Sequence, residues 1–348
     1  MNKFRYIDRE TLCKYDLSEE FLKTLSIEIK EIIPLRKVFV LITSNGKKIL
    51  KMTDSKEKRI NFIDDALKYI QKNYEDVLNY HRGKDGKIAH YFHENTYVIL
   101  DMIEGREATF TNPLEIEICS KAIANMHKAS KGIGENLSID LVKENIGDNL
   151  AEAYKKAEEE LKNIKIFVKR FRYRNRFDEL FIENADKYID QIKKTQELLA
   201  LTNYSSLLKD IDKIVLCHND LANHNFIIDG DKVKIIDFDY CKIDTRAIDI
   251  ANFSLKAIKN NCYEMKKFKS IIDAYNSVNE LDKEEIKLIY TIFNFPRDFY
   301  NISIGYYYKE KLWDYEVFES RLEDKLNKDV YRAEFLKDFI KEMKDYFY

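Results

Sequence analysis

Apolar positions in the first hundred residues follow two rhythms. The stretch VFVLITSNGKKILKM opens with an apolar run over residues 38–42, turns at Asn45-Gly46 and returns over residues 48–52. Asn-Gly accepts the left-handed backbone of a two-residue turn at little cost, so the spacing predicts a β-hairpin. Before it, SEEFLKTLSIEIKEI mixes both rhythms and predicts a short helix running into a strand. After it, Ile60, Ile63, Leu67 and Ile70 recur three, four and three residues apart, which predicts an amphipathic helix over about residues 55–72. GKDGKIAHYF and ENTYVILDMI then read as two strands separated by a polar turn. The order strand, strand, helix, strand, strand describes a small α+β lobe with an antiparallel sheet.

The rhythm changes after Glu104-Gly105. LEIEICSKAIANMHKA, preceded by Asn112-Pro113, predicts a helix over residues 114–129, and residues 148–200 have helical character with neither proline nor glycine. A strand pair, NFIIDG and KVKIID around Asp229-Gly230, interrupts the helices. Four or five more helices are expected over residues 247–348, one of them ending near Phe295 because Pro296 cannot continue it. The division therefore runs as an N-terminal lobe over residues 1–101, a hinge over 102–105 and a helical lobe over 106–348.

With 348 residues, 45% of them hydrophobic, the chain can bury a sizeable core, and its length favours two lobes over one. The 59 basic and 61 acidic residues nearly cancel, so the global charge gives no reason to expect nucleic acid or an anionic membrane. Cys13, Cys119, Cys217, Cys241 and Cys262 are far apart, with no CxxC pair, as expected of reduced thiols in the cytoplasm. The opening MNKFRYIDRETLCKYD has no signal-peptide pattern, and no run approaches the roughly 20 apolar residues of a membrane span. His90 and His93 are three apart, but the intervening YF and the following Tyr97 read more like a sheet edge than a zinc site.

The densest chemistry lies in CHNDLANHNFIIDGDKVKIIDFDY, residues 217–240. Antiparallel pairing brings the end of its second strand back toward the start of its first, so Asn225 and Asp237 become neighbours, with Asp220 in the loop just before. A carboxylate, an amide oxygen and a second carboxylate are hard oxygen ligands plus a candidate base, a set suited to magnesium and a nucleotide. Asp229 and Asp231 read as turn residues.

This stretch resembles the catalytic loop and metal-binding strand of the kinase-like phosphotransferases typified by aminoglycoside and choline kinases. MIEGREATF after the expected hinge and MHKASKGI after the next helix add a likeness to bacterial spore coat proteins of the CotS type. The resemblance implies a two-lobed protein-kinase-like fold with ATP and Mg²⁺ as cofactors. It makes Asp220 the aspartate that orients an acceptor hydroxyl and takes its proton, and His218 the loop histidine, read as a hydrogen-bonded scaffold. It makes Asn225 and Asp237 metal ligands. Asp239 resembles a second acid that touches metal through water or holds the hairpin. Asp249 either braces the catalytic loop through backbone amides or is a charge at a helix start.

In the first lobe, Lys51 lies on the strand face shared with Ile49, opposite Leu50 and Met52, where it could meet α- and β-phosphates. The resemblance implies an acidic partner for it on the following helix, which makes Glu57 the expected residue, with Asp64 as competitor. The same resemblance implies adenine among Val40, Ile49 and Ile228, its edge against backbone near Met102 and Ile103. No glycine precedes Gly46, so EIIPLRKVFV cannot supply a glycine-rich phosphate loop, and Asp239 stands where a DFG motif has glycine.

Seven basic residues lie between Lys162 and Arg176, interleaved with aromatic rings. Ile164, Phe167, Val168 and Phe171 recur at helical spacing, so a packed amphipathic helix is expected, with an anionic ligand or coat partner as the alternative and nucleic acid a remote one. The aromatic stretch FNFPRDFYNISIGYYY reads as helix packing or as a sugar, amine or peptide surface. These readings make the chain an ATP-dependent phosphotransferase acting on a hydroxyl of a small molecule or saccharide. The alternative is a non-catalytic structural coat protein on a kinase-like scaffold, made in the cytoplasm and located in the spore coat with other coat proteins as partners.

Overall fold

The alternation over residues 38–52 folds as the centre of a five-stranded antiparallel sheet. The computed structural model describes residues 17–35, 38–74, 77–259 and 262–347. The opening segment, with Cys13, and the connection at residues 36–37 lie outside the described residues.

Strands β1 (Ile29–Leu35), β2 (Val38–Thr43), β3 (Gly46–Thr53), β4 (His90–Phe92) and β5 (Asn95–Asp101) are ordered β1-β2-β3-β5-β4. Lys51 faces Val38 on one side and Val98 on the other, and Val40 faces Ile49. Period-two alternation sends Phe39, Leu41, Leu50, Tyr97 and Ile99 into one apolar layer. Helix α1 (Glu19–Thr24), capped by Ser18, places Phe21 in that layer, where Leu25 just after it also packs. Helix α2 (Glu57–Gln71) buries Ile60, Ile63, Leu67 and Ile70, the positions its spacing picks out. β1 is the strand expected to follow the short helix α1, and it pairs with β2 at the edge of the sheet.

Two compact units emerge from the contacts. Among the described residues, the first comprises those up to Glu107 together with Ile227–Asp239, and the second comprises those of Ala108–Phe226 and from Tyr240 onward. A sequential division at residues 102–105 leaves the hairpin of β7 (Phe226–Asp229) and β8 (Lys232–Ile235) with the helices. Its packing assigns it to the sheet unit, because β6 (Arg106–Glu107) pairs with β7 and Val77 bridges to Ile235. Gly105 enables this: its φ is +139°, and an added Cβ would come within 2.6 Å of the Ile228 carbonyl oxygen.

The second unit is mainly helical: α3 (Pro113–Ala129), α4 (Leu150–Lys169), α5 (Arg176–Ala200), α6 (Arg246–Lys259), α7 (Met265–Asn276), α8 (Lys283–Asn294), α9 (Arg297–Tyr307) and α10 (Tyr315–Glu342). A two-stranded ladder, Ile214–Cys217 against Lys242–Thr245, is set among them. The helical character of residues 148–200 resolves into two helices without proline or glycine. The break comes from a capping box in which Asn175 accepts from the Asp178 amide and Asp178 accepts from the Asn175 amide.

The packed face of α4 is Tyr154, Ala157, Leu161, Ile164 and Val168. Phe167, expected on that face, is 54% exposed. Several cations of the basic segment have internal partners: Lys165 pairs with Asp186, and Arg174 donates to the carbonyls of Val168 and Lys169 at the end of α4. The aromatic stretch packs largely on itself and its neighbours, with Phe177 stacked on Tyr306 at 3.9 Å and Tyr188 on Phe299 at 4.0 Å. Cys119, Cys217 and Cys241 are buried free thiols, and Cys262 is an exposed one. No helix among the described residues is long and apolar enough to cross a membrane.

Replacing Gly105 by alanine forces a side chain into an occupied space at a backbone angle that L-residues avoid. Gly46 also has positive φ, +98°, but nothing lies within 4 Å of its added Cβ. Urea unfolding should therefore show Gly105→Ala destabilised by at least about 1–3 kcal/mol, and by more than Gly46→Ala.

Candidate functional site

In the sheet unit, β3 aims Lys51 away from the layer that holds Leu50. Its Nζ lies 2.7 Å from Asp237 Oδ1 and 2.7 Å from Asp239 Oδ2. Burial alone would lower the lysine's pKa; the carboxylates of Asp239 and Asp237 outweigh it and raise the pKa above the usual value. The ammonium therefore stays charged, and with two carboxylates it leaves this triad with a formal charge of −1.

Asp237 sits just after β8 with φ +67°, a left-handed angle that non-glycine residues rarely adopt. Arg59 on α2 holds the following turn by donating to the Asp239 carbonyl at 2.9 Å. The structure does not bring Glu57 to Lys51. Glu57 accepts from the Tyr91 hydroxyl at 2.9 Å and lies 3.9 Å from Lys87. The competitor Asp64 is buried and pairs with Lys68 and Arg82. Asp239 takes the place expected for a glutamate on the helix.

Val40 and Ile49 lie side by side across β2 and β3, with Val40 and Ile228 buried. The Met102 amide donates to the Lys47 carbonyl at 3.1 Å.

In the helical unit, Asp220 is held by His218, Lys256 and Asn225. Its amide donates to His218 Nδ1 at 3.1 Å, and its Oδ1 lies 2.5 Å from Lys256 Nζ. Asn225 Nδ2 donates to the Asp220 carbonyl at 2.7 Å and to its Oδ2 at 3.2 Å. Because Nδ2 makes both bonds, the amide of Asn225 offers Oδ1 as its remaining ligand atom. His218 is buried, and its Nδ1 accepts from the Asp220 amide, which ties the two residues together.

Beneath the loop, buried Asp249 accepts from the amides of His218 at 2.7 Å and Asn219 at 2.9 Å. His127 Nε2 lies 3.1 Å from the same carboxylate, and its Nδ1 is 2.9 Å from the Tyr275 hydroxyl. Burial would raise the Asp249 pKa, but the bond and charge of His127, with the His218 amide, hold it below the usual carboxylate range. Asp249 thus braces the loop. His127, Cys217 and Asp249 also lie close enough together to suggest a metal. Their polar atoms are engaged instead, with the Cys217 thiol donating to the carbonyls of Asp244 and Thr245.

The profile of the family described as "Spore coat putative kinase YutH" matches residues 19–339. The chain belongs to this family. It is also 22% identical over 313 residues to Spore coat protein S of Bacillus subtilis (strain 168), covering 86% of each chain. Among solved structures, an aminoglycoside phosphotransferase from Alicyclobacillus acidocaldarius superposes with a TM-score of 0.81. It has 15% identity, with 94% of this chain and 97% of that one covered. The amicoumacin kinase hAmiN, in complex with AMP-PNP and Ca²⁺, superposes at 0.60 with 14% identity over 94% and 96%. The expected α+β, protein-kinase-like fold of this CotS-type chain is therefore the observed one: an N-terminal antiparallel sheet followed by a mainly helical part.

In this spore coat family member, a cavity of about 590 Å³ beside Asp220 is lined also by Asp148, Tyr240, Lys242 and Asp244. Burial pushes the Asp244 carboxyl up to about 7; Asp249 and Asp148 act in the same direction, and the Thr245 amide and Lys242 oppose them. Folding then takes up a proton between the unfolded value near 3.8 and about 7, so stability falls as pH rises through that window and levels off above it. Asp244→Asn keeps an oxygen for the Thr245 amide and removes the titration. Thermal melts should show the variant gaining on wild type from pH 5 to pH 8, by on the order of 3 kcal/mol.

Proposed function

We propose that this chain transfers the γ-phosphoryl group of ATP to a hydroxyl of a small molecule or saccharide. The observation that carries the reading is the Lys51 ammonium seated between Asp237 and Asp239, an over-neutralised cation whose surplus negative charge suits a hard divalent ion. In the sheet unit Asp237 and Asp239 are the groups that would hold Mg²⁺, since both supply oxygen. When bound, Mg²⁺ offsets charge developing on the phosphate oxygens.

Lys51 is the group for the α- and β-phosphates, and Val40, Ile49 and Ile228 are the apolar surface for adenine, with the Ile103 amide for its edge. Asp220, held by His218 and Asn225, orients the acceptor hydroxyl and takes its proton. Glu57, engaged with Tyr91, is given no part.

A second reading, a non-catalytic coat component, is favoured by Lys256, which already neutralises the Asp220 carboxylate. The names of the family and of Spore coat protein S support placement in the spore coat under either reading.

Purified protein, Mg²⁺ and γ-labelled ATP, incubated with extract of sporulating cells and a panel of hydroxyl compounds, test the choice. The phosphotransferase reading expects label in an acceptor, transfer reduced at least about 100-fold in Asp220→Asn, and Mg-ATP affinity lost in Asp237→Ala. Mg-ATP binding with no transfer to any acceptor, unaltered by Asp220→Asn, would support the scaffold instead.

A further inference from the structure

The side chains around Asp220 in the helical unit form two differently charged walls. Lys256, whose ammonium touches the Asp220 carboxylate, lies three residues before Lys259, on the same face of α6. Lys256, Lys259 and Lys325 line two cavities in common, one of about 210 Å³ and one of about 490 Å³. Ala222 and Asn223, which closely follow Asp220, line the larger one. The cationic wall therefore begins at the candidate base and runs into the smaller cavity.

Among the described residues, six cationic side chains line that smaller cavity against two carboxylates, Asp298 and Asp329. Asp298 is shared, 2.5 Å from Lys259 and 4.0 Å from Lys325. Asp329 is held by Lys187 at 2.7 Å and Arg332 at 3.0 Å. Lys325 and Lys328 also reach Asp324, which does not line the cavity.

Arg297 differs from these. One of its nitrogens donates to Asn252 Oδ1 at 2.6 Å, and among the described residues no carboxylate lies within ion-pair distance of it. A guanidinium has five donors in a planar fork matched to phosphate and carboxylate, and here one bond is made. Burial works against the charged forms of Lys259 and Arg297 and lowers the pKa of both. An anion in the cavity would offset that cost.

We propose that the acceptor carries an anionic group, a phosphate or a carboxylate, which sits against Lys259, Arg297 and Lys325 while its hydroxyl meets Asp220. This rests on the phosphotransferase reading above and narrows it. An amine-bearing acceptor meets like charge along this wall. The cavity that Asp220 shares with Asp148 and Asp244 exerts a weaker negative field, because Lys242 pairs with Asp148 at 2.9 Å and burial pushes the Asp244 carboxyl up to about 7.

Calorimetric titration of the full-length protein with glucose 6-phosphate, gluconate, glucose and glucosamine, each with and without saturating Mg-AMP-PNP, tests this. Either or both of the anionic sugars should bind, identifying the group, with glucose at least tenfold weaker and glucosamine undetectable. Arg297→Ala and Lys325→Ala should each weaken the anion at least tenfold and leave Mg-AMP-PNP affinity unchanged. The Lys325 side chain is 28% exposed, so its variant reports even if Arg297→Ala fails to fold. Glucosamine binding as tightly as the anions, anion binding indifferent to the folded variants, or no anion binding would overturn the proposal. Anion binding without Mg-AMP-PNP binding would uphold the anion site and overturn the phosphotransferase reading alone.

Discussion

A single ammonium between two carboxylates sets the electrostatics of the sheet unit. Lys51 at 2.7 Å from both Asp237 and Asp239 ties the middle strand of the sheet to a turn almost two hundred residues later in the chain. The contact requires β3 to alternate so that Leu50 enters the core while Lys51 turns away, and it requires the β7–β8 hairpin to pack with the sheet. Gly105 permits that packing by letting backbone approach backbone. The left-handed angle at Asp237 places local strain at the residue that carries the charge, as is common where surrounding structure over-determines a functional position.

The helical unit solves a similar problem with hydrogen bonds. A loop with a positive φ at Asn219 has amides that a regular element would satisfy, and Asp249 accepts two of them. His127 and Tyr275 extend that brace through the buried interior, so the orientation of Asp220 depends on α3, α6 and α7 together. A substitution far from Asp220 can thus disturb it, since a partly satisfied buried polar network is costly.

The sequence made the Lys51 and Asp237 positions readable because both depend on short-range rules: period-two alternation and tight Gly-containing turns. The expectation of Glu57 beside Lys51 rested on family position, and a side chain at the first turn of a helix is aimed by tertiary packing that no local pattern records. Asn175 and Asp178 did carry a readable signal, the N-x-x-D form of a capping box, which the absence of proline and glycine masked. Phe167 was assigned by spacing to a face that it does not share. The cationic wall of Lys256, Lys259, Arg297 and Lys325 was hidden in a lysine-rich composition, because only the fold shows which lysines converge on Asp220.

Charge balance links these parts. The sheet unit presents surplus negative charge around one fixed lysine, suited to a divalent ion, while the wall leading from Asp220 presents surplus positive charge. The most direct measurement is an electron paramagnetic resonance titration of Mn²⁺ into ATP-saturated protein. The account predicts a protein-bound Mn²⁺ signal that appears only with ATP and is lost in Asp237→Ala. A bound signal of equal strength in that variant, or no bound signal in the wild type, would contradict it.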